Sequence, residues 1–271
     1  MTAAIPRPAD GKELLLYASW GCPFSHRVLA ALHVTGLAEH LPVHFVEDVK
    51  REEGWRLARP DPVFGATTLP ELYRIAMPGA DLRPSVPVLL DRKARRIVST
   101  GSREMVRFVA TGLAGLHRPS IELCPSRLET EIGTILPWLN DRITRAVYRV
   151  GLTRDQASYE SECRALFAAL NRMEAHLADR PFLLGESLTE ADLFLFPTLA
   201  RFDAIYAPLF RCSLRRIADY PALSAYLARL LADPALAASF DLARAKRNYF
   251  LSVIHRPEGI FEINPSGIVP L

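Results

Sequence analysis

Ser19-Trp20-Gly21-Cys22-Pro23-Phe24-Ser25-His26-Arg27 decides the reading of this 271-residue chain. The apolar run Leu14-Leu15-Leu16-Tyr17 feeds into it as a strand, and Val28, Leu29, Leu32 and Val34 leave it at helical spacing. Cys22 therefore stands where a strand turns into a helix, with Pro23 at the first helical position. Proline suits that position because its missing N–H would have no intrahelical partner. The free amides of the first turn then favour negative charge on the sulfur, the form of cysteine that acts as a nucleophile. The other reading of Cys22 is a buried packing residue. His26 and Arg27 are the nearest candidates for a further donor, and each could equally be a packing or surface residue.

Composition narrows the class. Apolar residues make up 49% and charged residues 23%, as in folded globular proteins, and a net charge of +3 is mild. The basic residues are dispersed, which argues against a nucleic-acid partner. No apolar run approaches the roughly 18 residues of a membrane span, so no membrane partner is expected. Cys22, Cys124, Cys163 and Cys212 are far apart and the seven histidines show no ligand spacing, so no metal is expected. Without a secretory leader, a reducing cytoplasm and free thiols are the default.

Along the chain, Leu14–Ser19 reads as a strand, Pro23–Gly36 as a helix closed by glycine, and Val43–Val46 as a second strand. Lys50 to about Pro84 reads as a long irregular stretch, of a length that marks function or insertion. Val86–Asp91 and Arg96–Ser99 read as a hairpin, and Ser102 to about Val109 as a helix. From Arg127 to Phe250 helical spacing dominates, as in Ile132, Leu136, Leu139 and in Phe167, Leu170, Met173, Leu177. The expected fold is α/β followed by all-α. A thioredoxin-like thiol-binding domain spans 1–110, a linker 111–126, and a helical bundle with an extended tail 127–271. A Val86-Pro87 pair opening the third strand of such a fold is expected to be cis, although few X-Pro bonds are.

The motifs go beyond layout. Beside the cysteine segment stand Glu53-Gly54-Trp55, Asp61-Pro62-Val63-Phe64-Gly65-Ala66-Thr67, Val86-Pro87-Val88-Leu89 and Ile97-Val98-Ser99. Further on come Leu188-Thr189-Glu190-Ala191-Asp192-Leu193, Arg201-Phe202-Asp203-Ala204-Ile205-Tyr206 and Cys212 to Pro221. The tail Ile263-Asn264-Pro265-Ser266-Gly267-Ile268-Val269-Pro270 completes the set. On these marks nearly the whole chain resembles the Xi class of glutathione transferases, the glutathionyl-hydroquinone reductases, which have the glutathione transferase fold.

The resemblance implies glutathione as thiol co-substrate, small aromatic thiol conjugates as partners, and a homodimer. It implies that Cys22 takes the sulfur of a glutathionyl-hydroquinone into a mixed disulfide, which a second glutathione resolves. It gives Tyr148 and Tyr206 the roles of stacking on the substrate ring and donating the proton its carbon needs. The structural alternative is that both tyrosines pack helices. It puts Phe24, Arg27, Val86, Pro87 and Ser102 at the glutathione. Val86 would serve the cysteinyl part, and the helix start at Ser102 the γ-glutamyl carboxylate, beside an ordinary capping role. Asp192, in a capping-box position after Thr189, and Asp203 read as structural, and Cys212 as buried packing.

The chain departs from the family where Gly101 replaces an acidic residue that would meet the α-ammonium of glutathione. Phe24 stands for tryptophan and Leu209 for histidine. Glu104, a helical step beyond Gly101, matches another family position and is not counted as a substitute. Three readings follow: a thiol-dependent reductase, in one version using a thiol other than glutathione; a transferase or dehalogenase that adds glutathione to an electrophile; and a non-catalytic binding module. Cysteine captures the thiol as a disulfide and disfavours the second. Cys22 with both tyrosines disfavours the third.

Overall fold

Leu14–Ala18 forms β1, buried at every residue. A strand without polar alternation belongs in the middle of a sheet covered on both faces, and β1 is there. It pairs in parallel with β2 (Val43–Phe45) and antiparallel with β3 (Val88–Asp91), which pairs with β4 (Arg96–Ser99). The sheet order is β2-β1-β3-β4. This is a computed structural model, and it describes residues 5–6, 11–113, 116 and 121–252. The expected tail motif 263–270 and part of the expected linker 111–126 lie outside the described residues.

Helix α1 (Pro23–Thr35) connects β1 to β2 and ends at Gly36, at φ 78°. The N–H of Leu37 returns to Leu32 O at 2.8 Å. That left-handed stop suits a residue without Cβ. The Val86-Pro87 bond is cis, as the sequence reading expects. The stretch read as irregular from Lys50 to about Pro84 contains a helix, α2 (Leu69–Ala76). Thr68 Oγ1 accepts from the N–H of Glu71 at 3.2 Å, and Leu69, Leu72, Tyr73 and Ala76 are buried at i, i+3, i+4, i+7. Pro70 in its first turn hid it. The helix expected to begin at Ser102 is α3 (Ser102–Arg107), continued by a wider π turn at Phe108–Gly112.

The helical part comprises α4 (Glu129–Leu139), α5 (Ala146–Leu152), α6 (Gln156–Leu177), α7 (Glu190–Arg201), the single turn α8 (Ala207–Leu209), α9 (Pro221–Ala232) and α10 (Pro234–Ala238). Ile132, Leu136 and Leu139 of α4, and Phe167, Leu170, Met173 and Leu177 of α6, are buried as their spacing predicts. Asp192 closes the capping box at the start of α7 and accepts from the N–H groups of Leu183 (2.9 Å) and Thr189 (2.8 Å), from Thr189 Oγ1 and from Tyr226 Oη (2.9 Å). Burial pushes its carboxyl above the usual range, against the pull of those donors.

By their contacts the described residues fall into two compact units, and 238–252 group with the sheet-containing unit rather than with the helical unit that begins at Glu122. Helix α11 (Leu242–Leu251) is fixed there by side chains that helical periodicity does not reveal. Arg244 Nε donates to Asp48 Oδ1 at 2.8 Å, and Asn248 Nδ2 to Asp48 O at 2.7 Å.

Candidate active site

Cys22 is the residue before α1, at φ −76° and ψ 120°, and its side chain makes no capping bond. It is half-buried. The turn that carries it is closed by Cys22 N–H donating to Ser19 O (3.2 Å) and Gly21 N–H to Ser19 Oγ (3.2 Å). Ser25 Oγ accepts from Ser19 N–H at 3.3 Å, which ties the turn to the first turn of α1. In a helix that starts at Pro23, the N–H groups of Phe24 and Ser25 have no carbonyl within the helix to bond. The Cys22 thiol donates to Val86 O at 3.3 Å, so the strand–helix turn and the cis peptide meet at the sulfur. Cys22 and Trp55 both pack on the cluster that contains Tyr17, Tyr73, Val86 and Val88. The Lys50 ammonium lies 5.9 Å from the Trp55 ring centroid, and burial with the nearby Arg83 charge lowers its pKa.

Arg27 is buried at 2% exposure, which removes the surface reading for it. Its guanidinium carbon lies 4.8 Å from the Phe24 ring centroid, and Nη1 reaches Ser102 Oγ at 3.5 Å. Phe24, Arg27 and Ser102 therefore converge from α1 and α3. His26 is buried, stacked on Phe240 with ring centroids 4.9 Å apart, and its Nε2 lies 3.1 Å from Ser239 Oγ. That is a fastening contact to the last described segment of the chain.

Glu104, which motif position alone does not make a substitute for the acid at 101, turns back toward the start of α3. Ser99 Oγ donates to its Oε2 at 2.8 Å and accepts from Gly101 N–H at 3.1 Å. A Cβ on Gly101 would lie 3.4 Å from the same Oε2. A carboxylate one helical turn along thus occupies the edge of the space that an acidic residue at position 101 would enter. Residue spacing around a helix N-terminus, N-cap to N3, is the signal that could have found it.

In the helical unit, Tyr148 is half-buried at the edge of a groove of about 420 Å³ that Leu152 and Ser158 also line. Tyr206 has 0% exposure. Its ring stacks on Phe210 at 5.6 Å and 14°, and lies 6.1 Å from that of Tyr148. The two tyrosines are neighbours, with Tyr206 on the buried side. Asp203 accepts from the N–H groups of Ile217 (2.6 Å) and Ala218 (3.0 Å), a structural use. Asp61 of the Asp61–Thr67 motif is likewise structural, receiving Tyr17 Oη, Val63 N–H and Phe64 N–H. Cys212 is fully buried, which pushes its thiol pKa up. Among the described residues, no group of three His, Cys, Asp or Glu could hold a metal ion, and no helix is long and apolar enough to cross a membrane.

The family described as glutathione S-transferase, C-terminal domain, matches residues 156–229. The chain is 37% identical over 261 residues to the glutathionyl-hydroquinone reductase PcpF of Sphingobium chlorophenolicum, covering 94% of this chain and 81% of that protein. Among solved structures, it is similar to the glutathione transferase Xi from Phanerochaete chrysosporium, with a TM-score of 0.87 at 32% identity over 95% of this chain and 92% of that one. It is also similar to the glutathione-bound structure of YqjG, a glutathione transferase homolog from Escherichia coli K-12. There the TM-score is 0.84 at 32% identity, over 89% of this chain and 80% of that one.

Proposed function

The chain belongs to the Xi-class glutathione transferases, the glutathionyl-hydroquinone reductases, and we propose that it is a glutathione-dependent reductase whose nucleophile is Cys22. The observation that carries the assignment is a half-exposed cysteine at the start of α1 that caps nothing and points at Val86 beside the cis bond. A sulfur placed there attacks the sulfur of an aryl glutathione conjugate. The S–S bond forms as the aryl carbon–sulfur bond breaks; the ring carbon leaves with the electron pair and takes up a proton. The thiolate of a second glutathione attacks the glutathione sulfur of the mixed disulfide, which releases glutathione disulfide and returns Cys22 as thiolate. Atoms and electrons balance without a metal.

The residues present suit glutathione. Val86 offers its backbone beside the sulfur. The Arg27 guanidinium behind Ser102 Oγ provides positive charge and a hydroxyl for the γ-glutamyl carboxylate. Glu104 meets the α-ammonium in place of an acid at position 101. This favours glutathione itself over a thiol without an ammonium. Phe24 holds Arg27 by its ring face, and Pro87 shapes the strand entry. Tyr148 contacts the hydroquinone ring and supplies the proton, with Tyr206 fixing it from behind. The protein works as a homodimer in the cytoplasm, where its four free thiols fit a reducing environment.

Steady-state turnover of glutathionyl-menadiol with glutathione tests the function. Menadiol and glutathione disulfide in equal amounts are expected, with none from Cys22→Ala. Conjugation of an electrophile to glutathione with no disulfide formed would instead support the additive transferase.

A further inference from the structure

Gly21 is not in the left-handed region, so backbone conformation does not account for a glycine immediately before the nucleophile. Close approach does. A Cβ built on Gly21 would fall 2.2 Å from both Cγ and Oδ1 of Asn248 and 2.4 Å from its Cβ. The carboxamide of Asn248, itself 3% exposed, fills the space that any side chain at position 21 would need. From there Nδ2 donates to Asp48 O at 2.7 Å and reaches Ser252 Oγ at 3.4 Å. Ser252 in turn accepts on Oγ from Lys50 N–H at 2.8 Å and donates its N–H to Asn248 O at 3.1 Å. One side chain of α11 thus abuts the 19–22 turn and fastens the segment after β2.

Its neighbour one turn earlier acts on the same two segments. Arg244 is ion-paired to Asp48, and its guanidinium lies 5.5 Å from the Trp20 ring centroid. Trp20 is stacked on Phe45 at 4.6 Å and 6°. The two residues enclosed by the Cys22 N–H to Ser19 O hydrogen bond, Trp20 and Gly21, are therefore both held from α11. A glycine-containing turn has more conformations than any other, and displacement of a reacting atom by about 1 Å costs about a hundredfold in rate.

We propose that Asn248 is a positioning residue for this reaction: packed on Gly21 and bonded to Asp48, it sets the turn that aims Cys22. The proposal rests on the reading of Cys22 as nucleophile. It makes the last described helix part of the thiol site.

The test uses the full chain carrying Asn248→Ala, Asn248→Asp, Gly21→Ala, or Gly21→Ala with Asn248→Gly. Three quantities are read: the rate of Cys22 alkylation by iodoacetamide, kcat and KM with glutathionyl-menadiol, and Tm. Both Asn248 variants are expected to lower alkylation and kcat by about tenfold or more, with KM for glutathione changed by less than about twofold. The Asp variant keeps the volume and replaces the donor with an oxygen facing Asp48 O. Gly21→Ala is expected to be the worst, and the double variant to recover about tenfold or more of its loss, because the Cβ then has room. Lower Tm with unchanged alkylation and kcat in the Asn248 variants would overturn the proposal, as would a double variant no better than Gly21→Ala. Absence of turnover in the wild type would refute the reductase reading alone, and the alkylation contrast would still decide the role of Asn248.

Discussion

Helices α1 and α7 both follow a loop and both begin with amides that need acceptors, but they begin in opposite ways. At α7, Thr189 and Asp192 close a capping box, and Asp192 also satisfies Leu183 and Tyr226. Oxygen caps also start α2 at Thr68, α6 at Asp155 and α11 at Asp241, and Glu174 serves the start of α9 from a distance. At α1 the cap position holds Cys22, which makes no cap, and at α3 it holds Gly101, which has no side chain to make one. Helices α4 and α5 also lack a side-chain cap, but each runs on from a preceding helical turn. The start of α7 is completed by oxygen, whereas at the starts of α1 and α3, which emerge from extended backbone, the cap position is left to a sulfur and to a glycine.

Replacing the uncapped sulfur breaks this comparison most severely. Cys22→Ser is expected to lower kcat/KM for glutathionyl-menadiol by at least about a thousandfold, read as disulfide formation. In the same variant, serine is a good N-cap, so urea denaturation should show a chain more stable by about 1 kcal/mol. Loss of stability instead would mean that the start of α1 is organised for packing. At the other start, Asp192→Ala leaves buried donors unsatisfied, and about 3 kcal/mol or more of stability should go, measured the same way.

The start of α3 lies between these extremes. Glu104→Gln removes the charge beside Gly101 and should raise KM for glutathione by about tenfold, the equivalent of about 1.4 kcal/mol. Gly101→Glu should gain little, because its new carboxylate would face Glu104 across 3.4 Å at Cβ. A large gain there would show that Glu104 does not serve the ammonium.

The smallest effect belongs to the far end of α1. Burial holds His33 below the usual imidazole pKa. As pH falls through about 6.5 the unfolded chain takes the proton first, so this contribution to stability is present above that pH and is lost below it. The urea midpoint of the wild type should fall more between pH 7.5 and 5.5 than that of His33→Gln.

The elements that were legible from sequence are those with strong local signals. β1 reads from its unbroken apolar run, α1 from proline at its start and glycine at its end, and the capping role of Asp192 from spacing alone. Helix α2 was missed because Pro70 and the surrounding turn residues outweigh an apolar pattern of two turns. The chain position of α11 was legible, but its partner was not. Contacts from Arg244 and Asn248 to Asp48 span about two hundred residues, and no periodicity encodes them. The same limit hid Glu104, whose relevance depends on a side chain turning back rather than on its place in a motif. The tyrosine pair was identified through the resemblance, and burial of Tyr206 followed only from packing.

The most direct test of a nucleophilic Cys22 is a single turnover with glutathionyl-menadiol in the absence of free glutathione, followed by peptide mass spectrometry. The predicted result is one glutathione in disulfide linkage on the peptide containing Cys22, with free menadiol in equal amount and release of the adduct when glutathione is added. Menadiol formed with Cys22 unmodified throughout would contradict the account.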